Sequence, residues 1–355
     1  MTTLEEIGLD ATCLKDAVND GFISRRPHPD NSSFWIYNYT PKSQYDRHWT
    51  NETLSCRGLI LDESTTPPRV AARPFKKFFN LGEAEMPEGP FVAQEKMDGS
   101  LGIVYQLPGE MPAVATRGSF ASDQAIWATK KLRSNEKLLA IAEEIIAANL
   151  TVLVEIIYPE NRIVLDYGDR EVLVGLTAIH NQTGKDADLE ELGWPEPIAP
   201  FCADFSMEIL NHQDETTTNR EGVVLRWVDG TRLKVKFEEY VRLHKIVTRV
   251  TERSIWEMLS NGHPIASLAE YVPDEFYEWM NTIATGLIEQ FSAIEKEALT
   301  SLSEVDRAAS RKDQASSILE GPHCGIVFKM LDAKAYKDQI WAQIKPSVER
   351  SFETV

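Results

Sequence analysis

Lys96, Asp98 and Gly99 stand together in the run Glu95-Lys96-Met97-Asp98-Gly99-Ser100, a grouping whose types and spacing suit group transfer. The apolar run at 91–93 places Lys96 at or just past a strand end, where a loop can present its amine. Residues two apart in an extended chain share a face, which would set Asp98 beside Lys96. Gly99 would let the backbone approach a ligand closely or take a positive φ. A lysine attacking phosphorus must be neutral, yet its ordinary pKa is about 10.4, so it needs desolvation or neighbouring cations, metals included. A solvated turn has the same composition, and these residues alone leave both readings open.

Further residues bear on the choice. Glu155 interrupts the apolar run 151–157; a buried carboxylate is costly unless a metal, a ribose, a cation or an internal salt bridge satisfies it. Lys234 and Lys236 alternate with Val235 and Phe237, so a strand would put both lysines on one face, where they repel unless an anion lies between them or the face is open to water. Their field would favour a neutral Lys96 if it is close. Arg57 precedes the core-like string 58–61, where a guanidinium fork can meet phosphate at a cleft rim or pair with a carboxylate. In the stretch 73–83, RPFKKFFNLGE, Phe75, Phe78 and Phe79 can anchor a loop that frees Lys76 or Lys77 for phosphate; an aromatic core with solvated lysines fits equally. Asn80 and Glu83 could face the same ligand. Arg117, followed by Gly118 and Ser119, reads as a phosphate or ribose contact or as a polar turn. Trp35, Ile36, Tyr37 and Tyr39 read as a packing strand, one aromatic of which could stack on a base. Lys130, Lys131 and Arg133 fall on a wet helix face.

In order along the chain stand CRG at 56–58, KFFN at 77–80, KMDGS at 96–100, RGS at 117–119, NRIV at 161–164, EGVV at 221–224 and KVKF at 234–237. This ordered set resembles the covalent nucleotidyltransferases, the superfamily of polynucleotide ligases and messenger-RNA capping enzymes. Within it the chain is most similar to the phage-type RNA ligases of the first class, over roughly residues 57–244. The resemblance implies Lys96 as the adenylylated nucleophile, with Lys234 and Lys236 as catalytic partners. It further implies nucleotide contacts from Glu95, Asp98, Gly99, Arg57, Lys77, Arg117, Glu155 and Glu221. Glu155 and Glu221 would hold a metal directly or through water. ATP and Mg2+, with Mn2+ as a substitute, are the implied cofactors, and RNA with 5′-phosphate and 3′-hydroxyl ends, including broken transfer RNA, the implied partner. The implied fold is α+β, a nucleotidyltransferase core of antiparallel sheets with flanking helices, plus an all-helical C-terminal domain. An RNA guanylyltransferase and a catalytically inactive RNA-binding module are the competing readings.

The elements that must position these residues follow from patterning. Residues 4–18 read as a helix, 21–30 as loop or edge, 101–105 and 113–116 as strands, 124–150 as helices, and 161–167 and 171–179 as extended segments, with Arg162 and Asp166 interacting across a turn. Gly230 marks a turn between strands at 221–227 and 232–237. From Tyr240 the spacing turns helical through Leu243, Ile246, Val247 and Val250; Pro273 opens a further helix, and 301–319 and 336–344 are helical too. The expected division is an adenylyltransferase domain with an N-terminal elaboration at 1–240 and a helical domain at 241–355, an RNA-specificity module, in place of a strand-rich barrel. The 355 residues suffice for two domains. A net charge of −18 argues against a broadly basic, polyanion-gripping surface while allowing a local cationic groove. Four scattered cysteines without a CxxC pair fit a reducing cytoplasm, and neither a signal peptide nor a membrane span is expected.

Overall fold

The computed structural model describes residues 2–203, 205, 220–237, 240, 251–263, 274–319 and 321–346. The chain divides into two compact units, Met1–Val247 and Thr248–Val355. The expected 240/241 boundary adjoins residues outside the described ones, and Leu243, Ile246, Val247, Val250, Pro273 and all of 206–219 lie among those.

The first unit holds three sheets. Strands β1 (Ile23–His28), β2 (Asn31–Tyr39), β3 (Arg57–Asp62) and β4 (Arg69–Ala72) form one in that order. The second runs β11-β10-β9-β7-β8, from β7 (Ser100–Tyr105), β8 (Ala113–Thr116), β9 (Leu150–Ile157), β10 (Val172–His180) and β11 (Asp186–Ala187). The third runs β5-β13-β12-β6, from β5 (Phe79–Asn80), β6 (Phe91–Lys96), β12 (Gly222–Trp227) and β13 (Arg232–Lys236). Pairing is antiparallel except between β5 and β13.

β9 reads as a nearly continuous apolar run because both its faces are covered. Val152, Val154 and Ile156 pack with Leu138, Ala142 and Ile145 of the helix α5 (Glu136–Ala147), next to α4 (Asp123–Ser134). On the other face Leu153 meets Ile36, Ile60 and Ile103 of the first two sheets. Glu155 shares Leu153's parity and so points away from the helices.

A strap joins the second and third sheets. Gly175 N–H donates to Pro197 O at 2.7 Å and Ala199 N–H to Gly175 O at 2.9 Å, then Glu95 N–H donates to Pro200 O and Cys202 N–H to Ala93 O, both at 2.8 Å. These bonds fix β6, which ends at Lys96, against the sheet that carries Glu155.

Two expectations change, while 21–30, read as loop or edge, holds the edge strand β1. The segment 4–18 is not one helix: a 3-10 turn at Glu5–Ile7 ends at Gly8 with φ 77°, and α1 (Ala11–Asn19) starts anew where Asp10 caps the amides of Thr12 and Cys13. Residues 161–167 are not a strand but a loop following a 3-10 turn at Pro159–Asn161, although Arg162 and Asp166 do pair at 2.8 Å.

In the second unit the described residues form α-helices only: α6 (Glu252–Ser260), α7 (Asp274–Glu304), α8 (Arg311–Leu319), α9 (Cys324–Leu331) and α10 (Lys337–Gln343), numbered after the short α2 (Pro41–Tyr45) and α3 (Asn51–Ser55). Ile255, Met280, Ala284 and Leu287 form one core, and Ala298, Ile318, Ile326, Val327 and Ile340 another. The helix expected at 301–319 is the end of α7 and then α8, while α9 lies outside the expected helices. Among the described residues no helix is long and apolar enough to cross a membrane.

Candidate active site

The reactive arrangement starts from strand register. Gly222 of β12 pairs with Lys96 of β6 on one side and with Lys236 of β13 on the other. A Cβ at Gly222 would lie 2.0 Å from Val235 O, so only glycine lets the strands come this close. Glu221, the residue just before β12, meets both lysines. Its Oε1 lies 2.7 Å from Lys96 Nζ and 2.7 Å from Lys236 Nζ, while its side chain is 2% exposed. Its Oε2 is buried and has no hydrogen-bond partner among the described residues.

Alternation extends the pattern across the third sheet. Val223 pairs with Glu95 and Val235, and Leu225 with Ala93 and Leu233, so these side chains share one face. Apart from Glu95 they form an apolar cluster with Trp227 and Phe237. The other face carries Lys96 and Lys236 in one row, Gln94 and Lys234 in the next, and Val92, Arg226 and Arg232 in the third. Arg226 and Arg232 both pair with Asp186. A cleft of about 540 Å³ opens near that third row, lined by Val92, Gln94, Phe201 and Arg226 among others, at the opposite end of β6 from Lys96.

Glu155 lies within the same field. Burial pushes its carboxyl up to about 8, opposed by the charges of Lys96 and Arg57 and reinforced by Glu221 and Asp98. Its Oε1 accepts from Gly99 N–H at 3.1 Å. A Cβ on Gly99 would meet Ile156 O at 2.6 Å, so this glycine allows approach to β9.

A second cluster gathers cations on aromatics. Lys77, 8% exposed, holds its Nζ 5.5–5.6 Å from the ring centres of Tyr39, Trp49 and Phe79. Arg117 donates from Nη1 to Tyr39 Oη at 3.3 Å. The Arg57 guanidinium lies over Phe75 and Phe78, at 5.0 and 5.5 Å, with Nη1 buried and without a partner among the described residues. Gly58, at φ 96°, leaves room for the Arg117 backbone, which a Cβ would meet at 3.2 Å.

A family profile described as RNA ligase matches residues 55–241, more than half the chain. The chain belongs to the RNA ligase family. It is similar to a "Putative RNA ligase" of Thermovibrio ammonificans, 30% identical over 54% of this chain and 53% of that protein. It is also similar to a "Putative bifunctional polynucleotide kinase/RNA ligase" of Autographa californica nuclear polyhedrosis virus, 29% identical over 59% of this chain and 33% of that one. The matches thus span about half and one third of those relatives. A solved archaeal ATP-dependent RNA ligase is similar at 15% identity and a TM-score of 0.47, over 82% of this chain and 81% of its own.

In this RNA ligase family member Lys96, Glu221 and Lys236 meet directly, Glu155 and Arg57 lie within their electrostatic reach, and Lys77 and Arg117 meet at Tyr39. Three further residues of the expected set make protein contacts of their own. Glu95 points to the apolar face, where Arg220 Nε donates to it at 3.3 Å, because alternation turns it away from Lys96. Asp98 is buried at 4% exposure: β6 ends at Lys96, so the two-residue face rule no longer applies beyond it. Gly99 serves contact with β9 and has no positive φ. Asn80 and Glu83 bond to each other, and Lys76 Nζ donates to Asn51 Oδ1 at 2.7 Å. Arg133 donates to Pro112 O and Met111 O, tethering a loop.

Sequence reasoning missed three residues around the centre. Arg220 joins Glu95 to Cys202 Sγ and lies over Phe237; its position just before Glu221 was the available signal. Asn161 accepts from Ser100 Oγ at 3.2 Å and donates to Ile156 O at 2.8 Å. Tyr240 reads as the start of a helical stripe, yet its hydroxyl reaches Asp98.

Proposed function

We propose that this protein is an ATP-dependent RNA ligase that joins 5′-phosphate and 3′-hydroxyl RNA ends through enzyme-lysyl-AMP and RNA-adenylate intermediates, in RNA or transfer-RNA repair. The observation that carries the reading is the single Glu221 oxygen shared by Lys96 and Lys236 at 2.7 Å each. A carboxylate held between two lysines keeps both amines at one point, and incoming phosphate oxygens offer Lys236 a replacement partner. Lys96 gives up a proton to solvent and its neutral Nζ attacks the α-phosphorus; an N–P bond forms as the bond to the bridging oxygen breaks, pyrophosphate leaves and a second N–H proton passes to solvent. A 5′-phosphate oxygen of RNA then displaces the lysine at that phosphorus, and a 3′-hydroxyl finally displaces AMP.

Lys234, Lys236 and Arg57 stabilise negative charge on the phosphate oxygens, a fixed-charge contribution that grows in a dry site. Lys77 and Arg117, braced on Tyr39, take the remaining phosphates or the ribose. Glu155 holds the ribose or, with Glu221, a metal. The residues fit a lightly held divalent cation. Glu221 has one buried oxygen without a partner among the described residues, and Glu155 resists ionisation until positive charge arrives. Among the described residues no group of three or more His, Cys, Asp or Glu could hold a metal, which suits magnesium bound by one or two carboxylates and water, with Mn2+ as a substitute. When bound, such a cation neutralises charge on the phosphate oxygens.

Residues 241–355, helical where they are described, serve in this reading as a module that selects structured, broken RNA. Free thiols at Cys13, Cys56, Cys202 and Cys324 suit work in the cytoplasm. The test is incubation with α-labelled ATP or GTP followed by denaturing electrophoresis, then RNA sealing. Label from ATP and joined 5′-phosphate RNA are expected. Label from GTP alone would make it a guanylyltransferase, and RNA binding without any adduct would make it an inactive binding module.

A further inference from the structure

Tyr240 lies four residues beyond Lys236 and is 2% exposed. Its side chain makes two unlike contacts. The hydroxyl donates to Asp98 Oδ1 at 2.7 Å, and the ring centre lies 4.8 Å from Lys236 Nζ. The other Asp98 oxygen accepts from Val164 N–H at 2.9 Å and Leu165 N–H at 2.7 Å, while Asp98 N–H donates to Tyr167 Oη at 2.9 Å. Val164 and Leu165 pack on the Tyr240 ring itself. The loop that the sequence suggested as a strand is therefore wrapped around one buried carboxylate.

These contacts close a circuit. Lys96 reaches Glu221, Glu221 reaches Lys236, Lys236 rests on the Tyr240 ring, Tyr240 binds Asp98, and Asp98 is two residues from Lys96. A charged lysine over an aromatic face is attracted by the ring quadrupole, and a phenol bonded to a carboxylate makes a strong, directional link. The ring thus limits where the ammonium that shares Glu221 can sit, and the hydroxyl limits where the residues following the nucleophile can sit. Each constraint acts on a different side of Lys96.

We propose that Tyr240 is a positioning residue for transfer of AMP to Lys96, its ring seating Lys236 and its hydroxyl fixing the nucleophile's loop through Asp98. This rests on the reading of Lys96 as the nucleophile. Tyr240 touches no reacting atom; its effect falls on the alignment of the amine with the α-phosphorus, to which rate is steeply sensitive.

The full-length protein carrying Tyr240→Phe, Asp98→Ala, Asp98→Asn or the double change Asp98→Ala/Tyr240→Phe is mixed with α-labelled ATP in single turnover across ATP concentrations, alongside thermal melts. Tyr240→Phe keeps the ring and should lower the limiting rate by about tenfold, with half-saturating ATP shifted less than about twofold. Asp98→Asn should lose less than Asp98→Ala, since its oxygen can accept from both amides while its NH2 donates to the Tyr240 oxygen. The double variant should fall no further than Asp98→Ala, because both changes remove one link. A wild-type limiting rate in Tyr240→Phe, or losses that multiply in the double variant, would overturn the inference and leave the Lys96 reading intact. Absence of any adduct in the wild-type protein would remove both.

Discussion

Along β6, β12 and β13 the two faces of the third sheet differ in almost every property. One packs Val223, Leu225, Leu233, Val235 and Phe237 into a dry cluster; the other carries Lys96, Lys234, Lys236, Arg226 and Arg232. A period of two sorts side chains so that apolar burial and cationic charge fall on opposite sides of a single layer. The apolar face contributes the burial that holds mutually repelling cations in place. Changes on the two sides should accordingly separate folding from adenylylation.

Gly222 is where that separation should fail, and Gly222→Ala should have the largest effect. Its Cβ would collide with Val235 O at 2.0 Å, forcing β12 from β13 and Lys96 from Lys236. Loss of adduct together with a melting temperature lower by about 5 °C or more is expected. Wild-type melting in this variant would contradict the register argument.

On the cationic face, Lys236→Ala should slow adenylylation by about 100-fold, and Lys234→Ala by a comparable factor, by removing charge aimed at the phosphates. Circular dichroism and melting should change little. Normal single-turnover rates at limiting ATP in both variants would deny them that role.

The apolar face should give the converse. Leu225 is fully buried, and Leu225→Ala should cost about 2–5 kcal/mol of stability by leaving a cavity. Denaturant titration measures that loss, and the adenylylation rate per folded molecule should stay close to wild type. A rate that collapses in protein shown to be folded would mean that the two faces are coupled.

The last effect is in pH. The Glu155 carboxyl titrates near 8 in the folded protein, against about 4.3 in an unfolded chain, so the folded state binds the extra proton between those values. Its contribution to stability is complete below about 4.3 and is lost as pH rises through 8. Glu155→Gln removes this dependence: the variant should match wild type near pH 5 and melt higher near pH 8.5, without ATP or metal. A difference that is constant with pH would contradict the buried acid.

What the sequence made legible was local. Alternation at 234–237 set the two lysines on one face, the apolar run around Glu155 marked a covered strand in which Glu155 itself is half-buried, and the i,i+4 spacing of Arg162 and Asp166 gave their pairing. The split of 4–18 was legible too, in Gly8 and Asp10, but the apolar pattern outweighed them. What was hidden depended on register and distance. That one Glu221 oxygen serves two lysines follows from β6 and β13 flanking β12, strands more than a hundred residues apart in the chain. Asp98 was misdirected because the strand stops two residues before it. Its partner Tyr240 lies 142 residues away, beyond the reach of any periodicity.

The central claim is that Lys96 carries the nucleotide. Wild-type protein incubated with ATP and a divalent cation, without RNA, can be digested at low temperature and near-neutral pH and its peptides sequenced by mass spectrometry. AMP should be found on Lys96 in the peptide containing Met97 and Asp98, and Lys96→Ala protein treated alike should carry none. AMP on Lys234 or Lys236, or an undiminished adduct in Lys96→Ala, would contradict the account.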